Sequence, residues 1–401
     1  MAQRLISTVG LAVMVLLAWA LSSDKRRLNW RLIGSGIALQ LILAALLLET
    51  EGGQWFFEQA RAVVTKIIQF SDTGAEFVFG ANFKEHFFAF SVLPTIVFMS
   101  SMMSVLFYLG VIQKIIQAMA KVMVYVMDVS GSESLANAAN IFFGMAEAPL
   151  VIRPYLDTMT RSELMAMMTG GMATISGATL AAYVGFGADA GHLLTASIIS
   201  APAGLVIAKI MVPETESSLT KGTVRIDVPR KDSNVLDAAC RGAAEGLQLA
   251  LTVLAVLICF TAFVSLLNWV MSLLPELGGR PLTLERLLGW ICAPLAWVMG
   301  VEWKDAAAVG GLIGKKTILN EFIAYRDLGA MKDTLSRRSA VIATYALCGF
   351  ANFGSVAIQI GGYSTLVPAR RKDFASLGFK AMIGGSLAAF MTAAIAGMLT
   401  A

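Results

Sequence analysis

The sequence is poor in the side chains that bind transition metals or build nucleophilic catalytic sites. It has two histidines, His86 and His192, and four cysteines, Cys240, Cys259, Cys292 and Cys348, with no CxxC pair. A zinc site of ordinary spacing and a disulfide framework are therefore not supported, and the thiols read as small buried apolar groups. Charge is scarce as well. Only 14% of the 401 residues are Asp, Glu, Lys or Arg, against about 25% in an ordinary soluble domain. With 57% of residues hydrophobic, a soluble fold would have to bury nearly every apolar run. The net charge of +4 is small for this length, and the basic residues gather in short loops. They mark membrane topology and offer no nucleic-acid surface.

What is present is a series of apolar stretches, at least six of them long enough to cross a bilayer, for which about 20 residues are needed. Leu5–Leu21 and Leu32–Leu48 read as the first two spans. The first has features of a cleaved leader: Arg4, an apolar run, and Ala18-Trp19-Ala20. Its run of about 17 residues is long for that role. Asp24–Arg27 (DKRR) follows at once, which favours a retained helix with that flank in the cytoplasm and the N-terminus outside. Trp55–Phe70 is amphipathic, interrupted by Glu58, Arg61 and Lys66, and suits a helix lying in the interface. Phe88–Ile112 is a third span, and Lys114–Met127 is again amphipathic. Ala166–Val184 and Leu193–Val212 are further spans, and the polar loop Pro213–Asn234 divides the chain. Gly242–Leu274 is long enough for a tilted span. Leu282–Gly300, with Arg286 and Pro294, reads as interfacial, and Ala375–Leu399 is the last span. Trp30, Trp55 and Trp303 mark interfaces.

Two segments break this pattern. Asn140–Pro149, NIFFGMAEAP, carries a lone carboxylate, Glu147, between Gly144 and Pro149 inside an apolar region. A carboxylate at membrane depth is costly and marks a functional site by default. Broken backbone at that depth is tolerated only inside protein or beside water. Ser132–Leu156 is therefore expected to form a re-entrant hairpin. Ala306–Leu328 repeats the design, with a glycine-rich tip, Glu321, and an apolar arm ending in Arg326 as the first ends in Arg153. Each hairpin precedes a helix with a polar interruption: TGGMATISGAT (Thr169–Thr179), and CGFANFGS (Cys348–Ser355) within Ala340–Ile360. The order hairpin, broken helix, span occurs twice, and such internal symmetry points to a transporter binding site. Simpler readings stand beside this one. Glu147 paired with Arg153, or Glu321 with Lys315 or Lys316, would be structural ion pairs. Thr174, Ser176, Asn352 and Ser355 would be helix–helix glue.

At this point the motifs resemble a known family. GMAEAPLVIRPYL (Gly144–Leu156) resembles the GQTEAPL-type motif of concentrative nucleoside transporters. MTRSELMAMMTGGMATISG (Met159–Gly177), LNEFIAY (Leu319–Tyr325) and ALCGFANFGSVAIQIGG (Ala346–Gly362) extend the likeness. It is dense from about Gly80 onward, and the length fits a bacterial member. The resemblance implies an all-α polytopic membrane protein with eight transmembrane helices, two re-entrant hairpins in an inverted repeat, and interfacial helices. It also implies a homotrimer in a bacterial cytoplasmic membrane, whose transport domain carries the site across the bilayer elevator-fashion. On that scheme residues 1–130 and 213–302 are mainly scaffold, and 131–212 and 303–401 are the two transport repeats. The base would meet Gly144, Met145, Ala146, Glu147 and Thr179. The ribose would meet Glu321, Asn352 and Ser355, with Phe350 close by and Asn320 supporting Glu321. A coupling Na+ would be held by the side chains of Asn140 and Thr174 and by backbone carbonyls near Phe143 and Ile175. Hard cations prefer such oxygen donors.

Two positions depart from the family pattern. Met145 stands where glutamine is usual, and Ala146 where threonine or serine is. Both usual residues hydrogen-bond the base, and apolar pockets discriminate weakly. Broad or altered base preference, with affinity carried by the ribose, is the expectation. Two other function classes compete. An intramembrane enzyme needs an acid–base pair, yet no aspartyl dyad, Ser–His pair or metal cluster is legible. A passive pore cannot accumulate its solute.

Overall fold

The computed structural model describes residues 2–86, 88–222, 232–276, 279 and 281–400. Residues 223–231 of the polar loop lie outside the described residues. Among those described there is no β-strand, only an isolated antiparallel bridge between Ser130 and Lys221.

The N-terminal third supplies α1 (Ala2–Ala20), α2 (Trp30–Glu49), α3 (Glu51–Phe79), α4 (Leu93–Tyr108) and α5 (Val111–Met127). Local chemistry sets their ends. Asn29 caps α2 by accepting the Leu32 N–H, and Thr50 caps α3 by accepting that of Gly53. Helix α3 is longer at both ends than the interfacial stretch read from sequence. It buries one face, with Ala60, Val64, Ile67, Ser71 and Ala75 at spacings of three and four. Helix α5 does the same through Ile112, Ile116, Ala120, Met123 and Met127, leaving Lys114 and Lys121 exposed. Helix α1 packs against the C-terminal helix, with Met14 and Ala18 fully buried.

The first repeat follows. α6 (Gly131–Ala139) and the single turn α7 (Ala148–Val151) form the hairpin. Its returning arm is shorter than the apolar arm read from sequence. Pro149 and Pro154 confine it to one α-turn and a 3-10 turn, Arg153–Tyr155. α8 (Arg161–Ala173) and α9 (Gly177–Gly185) are one span broken at 174–176, and α10 (Ala190–Met211) completes the unit. The long α11 (Val235–Ser272) then runs beside α4.

The second repeat is entered through α12 (Leu284–Val298), which meets α13 (Trp303–Ile318) at 117°. α14 (Glu321–Ala330) is the returning arm. α15 (Arg337–Leu347) and α16 (Phe353–Leu366) are the second broken helix, and α17 (Arg371–Leu399) closes the chain. The hairpin tip is not glycine-rich, contrary to the sequence reading. Gly310 and Gly314 lie inside α13, where a Cβ would strike the Ala293 backbone nitrogen at 2.8 Å and Leu288 at 2.5 Å. Those glycines let α13 press onto α12; the tip itself is Leu319-Asn320.

Seven helices or helix pairs among the described residues are long and apolar enough to cross a membrane. The bent pair α12–α13 would make an eighth by length and composition, whereas the broken pair α15–α16, the eighth span of the expected arrangement, falls outside that set. The α8–α9 pair, α10 and α17 are the buried centre, whereas α11 is exposed along most of its length. The Ser23 N–H donates to the Met211 carbonyl at 2.9 Å, so the basic loop after α1 and the end of α10 share one side. The excess of Lys and Arg there matches the positive-inside pattern expected of a cytoplasmic side. On it, Lys209 is buried between Glu133 (2.8 Å) and Glu214 (3.1 Å) and pins the root of the first hairpin to α10.

Candidate substrate and cation site

Both tips and both helix breaks converge on one cavity of about 880 Å³. The half-helices begin there, each capped by a side chain. Ser176 accepts the Thr179 N–H (3.3 Å), Asn320 that of Ile323 (3.0 Å) and Asn352 that of Ser355 (2.8 Å). Three positive helix ends therefore face one space, an arrangement suited to a polar guest. Helices α4 and α11 form the opposite wall through Ser100, Met103, Phe107, Leu249 and Val253. The cavity extends to Lys114, Arg153 and Asp157, toward the root of the first hairpin.

At the second tip Glu321 is 3% exposed and held at both oxygens. Tyr183 donates its hydroxyl to Oε1 (3.1 Å) and Asn352 donates Nδ2 to Oε2 (2.9 Å). The lysines considered as partners go elsewhere. Lys315 pairs with Asp327 (2.6 Å) and Glu285 (3.5 Å), and Lys316 donates to the Ala346 carbonyl (3.0 Å). A carboxylate offers about four lone-pair directions, so acceptor capacity remains for a hydroxyl of a guest. Phe350 and Ser355 line the same wall. Asn320 caps α14 and does not hydrogen-bond the Glu321 carboxylate as a support.

At the first tip, Gly144, Ala146 and Glu147 border the cavity with Thr179. Glu147 makes no ion pair among the described residues, and Arg153 does not reach it. The charges on the facing wall are already matched: Arg241 pairs with Asp232 (2.6 Å) and Glu245 (2.8 Å). Thr179 donates to the Ser176 carbonyl (3.0 Å) and its oxygen lies 3.1 Å from the Ser176 hydroxyl, so one lone pair is left to accept. Met145 is buried, and its carbonyl accepts the Tyr363 hydroxyl at 2.8 Å.

The residues expected to hold a cation lie behind this tip. Asn140 is 2% exposed and its Oδ1 has no hydrogen-bond partner. Thr174 donates to the Gly170 carbonyl (2.9 Å), so its oxygen lone pairs stay free. Ile175 is fully buried beside it, and Phe143 is half-buried in the tip. The Phe142 carbonyl is taken by the Gly177 N–H (3.0 Å), which stitches the tip to the helix break. An orphaned amide oxygen among neutral oxygens fits a hard monovalent cation. No group of three or more His, Cys, Asp or Glu side chains is placed to hold a metal among the described residues.

Three participants escape the sequence reading: Tyr183, Gln359 and Tyr363. Tyr183 is signalled only by lying four residues after Thr179, and Gln359 and Tyr363 by lying four and eight after Ser355, two residues that reading did select.

Two tip-and-break pairs closing on one cavity, in an all-helical membrane protein, define a secondary transporter. Residues 192–397 match the family described as Na+ dependent nucleoside transporter C-terminus, residues 9–82 its N-terminus, and residues 89–190 a domain described as Gate, nucleoside recognition. The chain belongs to the Na+ dependent nucleoside transporter family. It is 42% identical to Solute carrier family 28 member 3 of Rattus norvegicus, over 99% of this chain and 59% of that protein. The chain thus spans about three fifths of the length of the vertebrate relatives it matches. It is 39% identical to the transporter YutK of Bacillus subtilis over 97% of this chain and 98% of that one. The structure of CNTnw in an inward-facing substrate-bound state superposes with a TM-score of 0.92, at 41% identity, covering 99% of both chains.

Proposed function

We propose that this protein is a cation-coupled secondary transporter that takes up nucleosides such as uridine, with Na+ as the coupling ion. It works as a homotrimer in a bacterial cytoplasmic membrane, each protomer moving its own transport domain elevator-fashion. Residues 131–212 and 303–401 form that domain, and residues 1–130 with 213–302 mainly the scaffold. The observation that carries the reading is the Glu321 carboxylate, fixed by Tyr183 and Asn352 with acceptor capacity left over. Ribose hydroxyls are donors as well as acceptors, and suit it. Glu147, Ala146, Gly144 and Thr179 take the base, Phe350 and Ser355 complete the ribose side, and Asn140, Thr174 and the carbonyls of Phe143 and Ile175 take Na+. The neutral Asn140–Thr174 oxygens favour Na+ over a proton, which would require a titrating group at that place.

Binding Na+ at the first tip orders the loop that meets the base, so ion and nucleoside bind together and move together. One Na+ falling through a tenfold gradient supplies about 1.4 kcal/mol, and 100 mV adds about 2.3. Together these support roughly 500-fold accumulation. The test is uptake of labelled uridine into proteoliposomes with an inward Na+ gradient, an inward proton gradient, or neither. Accumulation above equilibrium with the Na+ gradient alone is expected. No accumulation with any cation gradient would reject the symporter, and accumulation with protons only would reject Na+.

A further inference from the structure

The residues that α16 buries are Ser355, Gln359 and Tyr363. Spaced by four, they form one stripe along the helix. The stripe starts at the Asn352 cap and Ser355, which face the cavity. Its other two members leave the second repeat and grip the first. Gln359 is fully buried and donates Nε2 to the Met168 carbonyl of α8 at 3.0 Å. A Cβ added at Gly171 would lie 2.9 Å from that nitrogen, 3.0 Å from the Met145 Cβ and 3.4 Å from Asn140 Oδ1. Gly171 is thus the point where α16, the first tip and the orphaned Asn140 oxygen come together. One turn on, Tyr363 is 1% exposed and holds the Met145 carbonyl. The Gln359 Oε1 is, like Asn140 Oδ1, buried without a partner.

Packing alone does not account for these side chains. Burying an amide and a phenol is costlier than burying leucine and phenylalanine of similar size. What the polar pair adds is direction, because hydrogen bonds fix the register of α16 against the tip. We propose that Gln359 and Tyr363 are positioning residues that couple cation binding in the first repeat to nucleoside binding in the second. This rests on the assignment of Asn140 and Thr174 to the cation and of Asn352 and Ser355 to the ribose. Helix α16 is the rigid element between them. A ribose at its N-terminus sets its position, and Gln359 and Tyr363 transfer that position to Met168, Met145 and the oxygens around Asn140. The coupling is reciprocal, as any linkage between two binding equilibria must be.

The experiment measures uridine affinity of the full-length protein with saturating Na+ and with Na+ replaced by choline. The readout is the ratio of the two dissociation constants, taken for wild type, Gln359→Leu, Tyr363→Phe and Asn140→Ala. Melting temperature without Na+ is recorded for each. Coupling of this kind is typically about 5- to 150-fold. Each α16 variant is expected to lower the ratio about fivefold or more, and Asn140→Ala to bring it to about one. If both α16 variants keep the ratio within about twofold of wild type while Asn140→Ala abolishes it, the coupling role is wrong and the cation assignment stands. If Asn140→Ala keeps the wild-type ratio, the cation assignment is wrong and the coupling role falls with it. A variant that melts lower yet keeps its ratio has a structural role only. Should Gln359→Leu fail to fold, Tyr363→Phe, which removes a single hydroxyl, decides the matter.

Discussion

Between α13 and α14 the chain turns in two residues, Leu319 and Asn320, and the polar groups around the turn find protein partners. Between α6 and α7 the turn takes eight residues, 140 to 147. There the Asn140 oxygen is orphaned and the Glu147 carboxylate has no cationic partner among the described residues. The same topological position is thus finished in one repeat and left open in the other. A finished tip is pre-organised, and a guest meets groups already aimed. An open tip must be completed by what binds to it, which makes its order depend on ion and substrate. Under the proposed function the second tip is the fixed ribose cradle and the first the responsive side.

The ion pairs that brace the two hairpins also differ in burial. The first is anchored by a Lys209 ammonium whose side chain is 6% exposed, against Glu133 at 2%. The second is braced by Lys315, in the last turn of α13 before the tip, against Asp327 of α14, at 14% and 15%. Lys209→Met leaves Glu133 charged, buried and unpaired. It should destabilise the protein by about 3–5 kcal/mol, read as a shift in the chemical-unfolding midpoint. Lys315→Met should cost no more than about half of that. Equal losses would show that the two braces are not distinct.

A smaller effect tests the open tip. Glu147→Gln removes a charged acceptor and should weaken nucleoside binding by about 1.5–3 kcal/mol, roughly 10- to 150-fold. With Met145 and Ala146 offering no side-chain hydrogen bonds, adenosine, cytidine and guanosine should each compete with labelled uridine within about tenfold of one another. A sharp preference for one base would place a discriminating contact that this tip does not display.

The smallest expected effect is at the cytoplasmic loop. Burial opposes the charge of Glu214, but the Lys209 ammonium and the Thr160 hydroxyl outweigh it and hold the carboxyl below its ordinary value. A carboxyl depressed in the folded state stabilises it above the unfolded value of about 4.3. That contribution disappears as pH falls through the folded value. Melting temperature should drop on acidification from about pH 5 to pH 3, less steeply in Glu214→Gln. Parallel acid limbs would remove Glu214 from the account.

The hairpins, the broken helices and the eight-span order were legible because lone charges and prolines in apolar runs are conspicuous. Glu147 and Glu321 stood out for that reason, whereas the roles of Asn140 and Asn352 came from the family resemblance. Tyr183, Gln359 and Tyr363 did not, because a tyrosine or glutamine on a helix does not reveal which neighbour it will face. The glycines of α13 were read as a tip for a related reason. A glycine that admits another helix looks the same in sequence as one that turns the chain. Only the pairing of α12 with α13 tells them apart.

The central claim is that the finished tip holds the ribose through Glu321. The direct measurement is the affinity of uridine and of 2′,3′-dideoxyuridine, at saturating Na+, for wild type and Glu321→Gln. The wild type should prefer uridine by about tenfold or more, and the variant should bind the two within about twofold of each other. Preference for uridine that survives intact in Glu321→Gln would contradict the account.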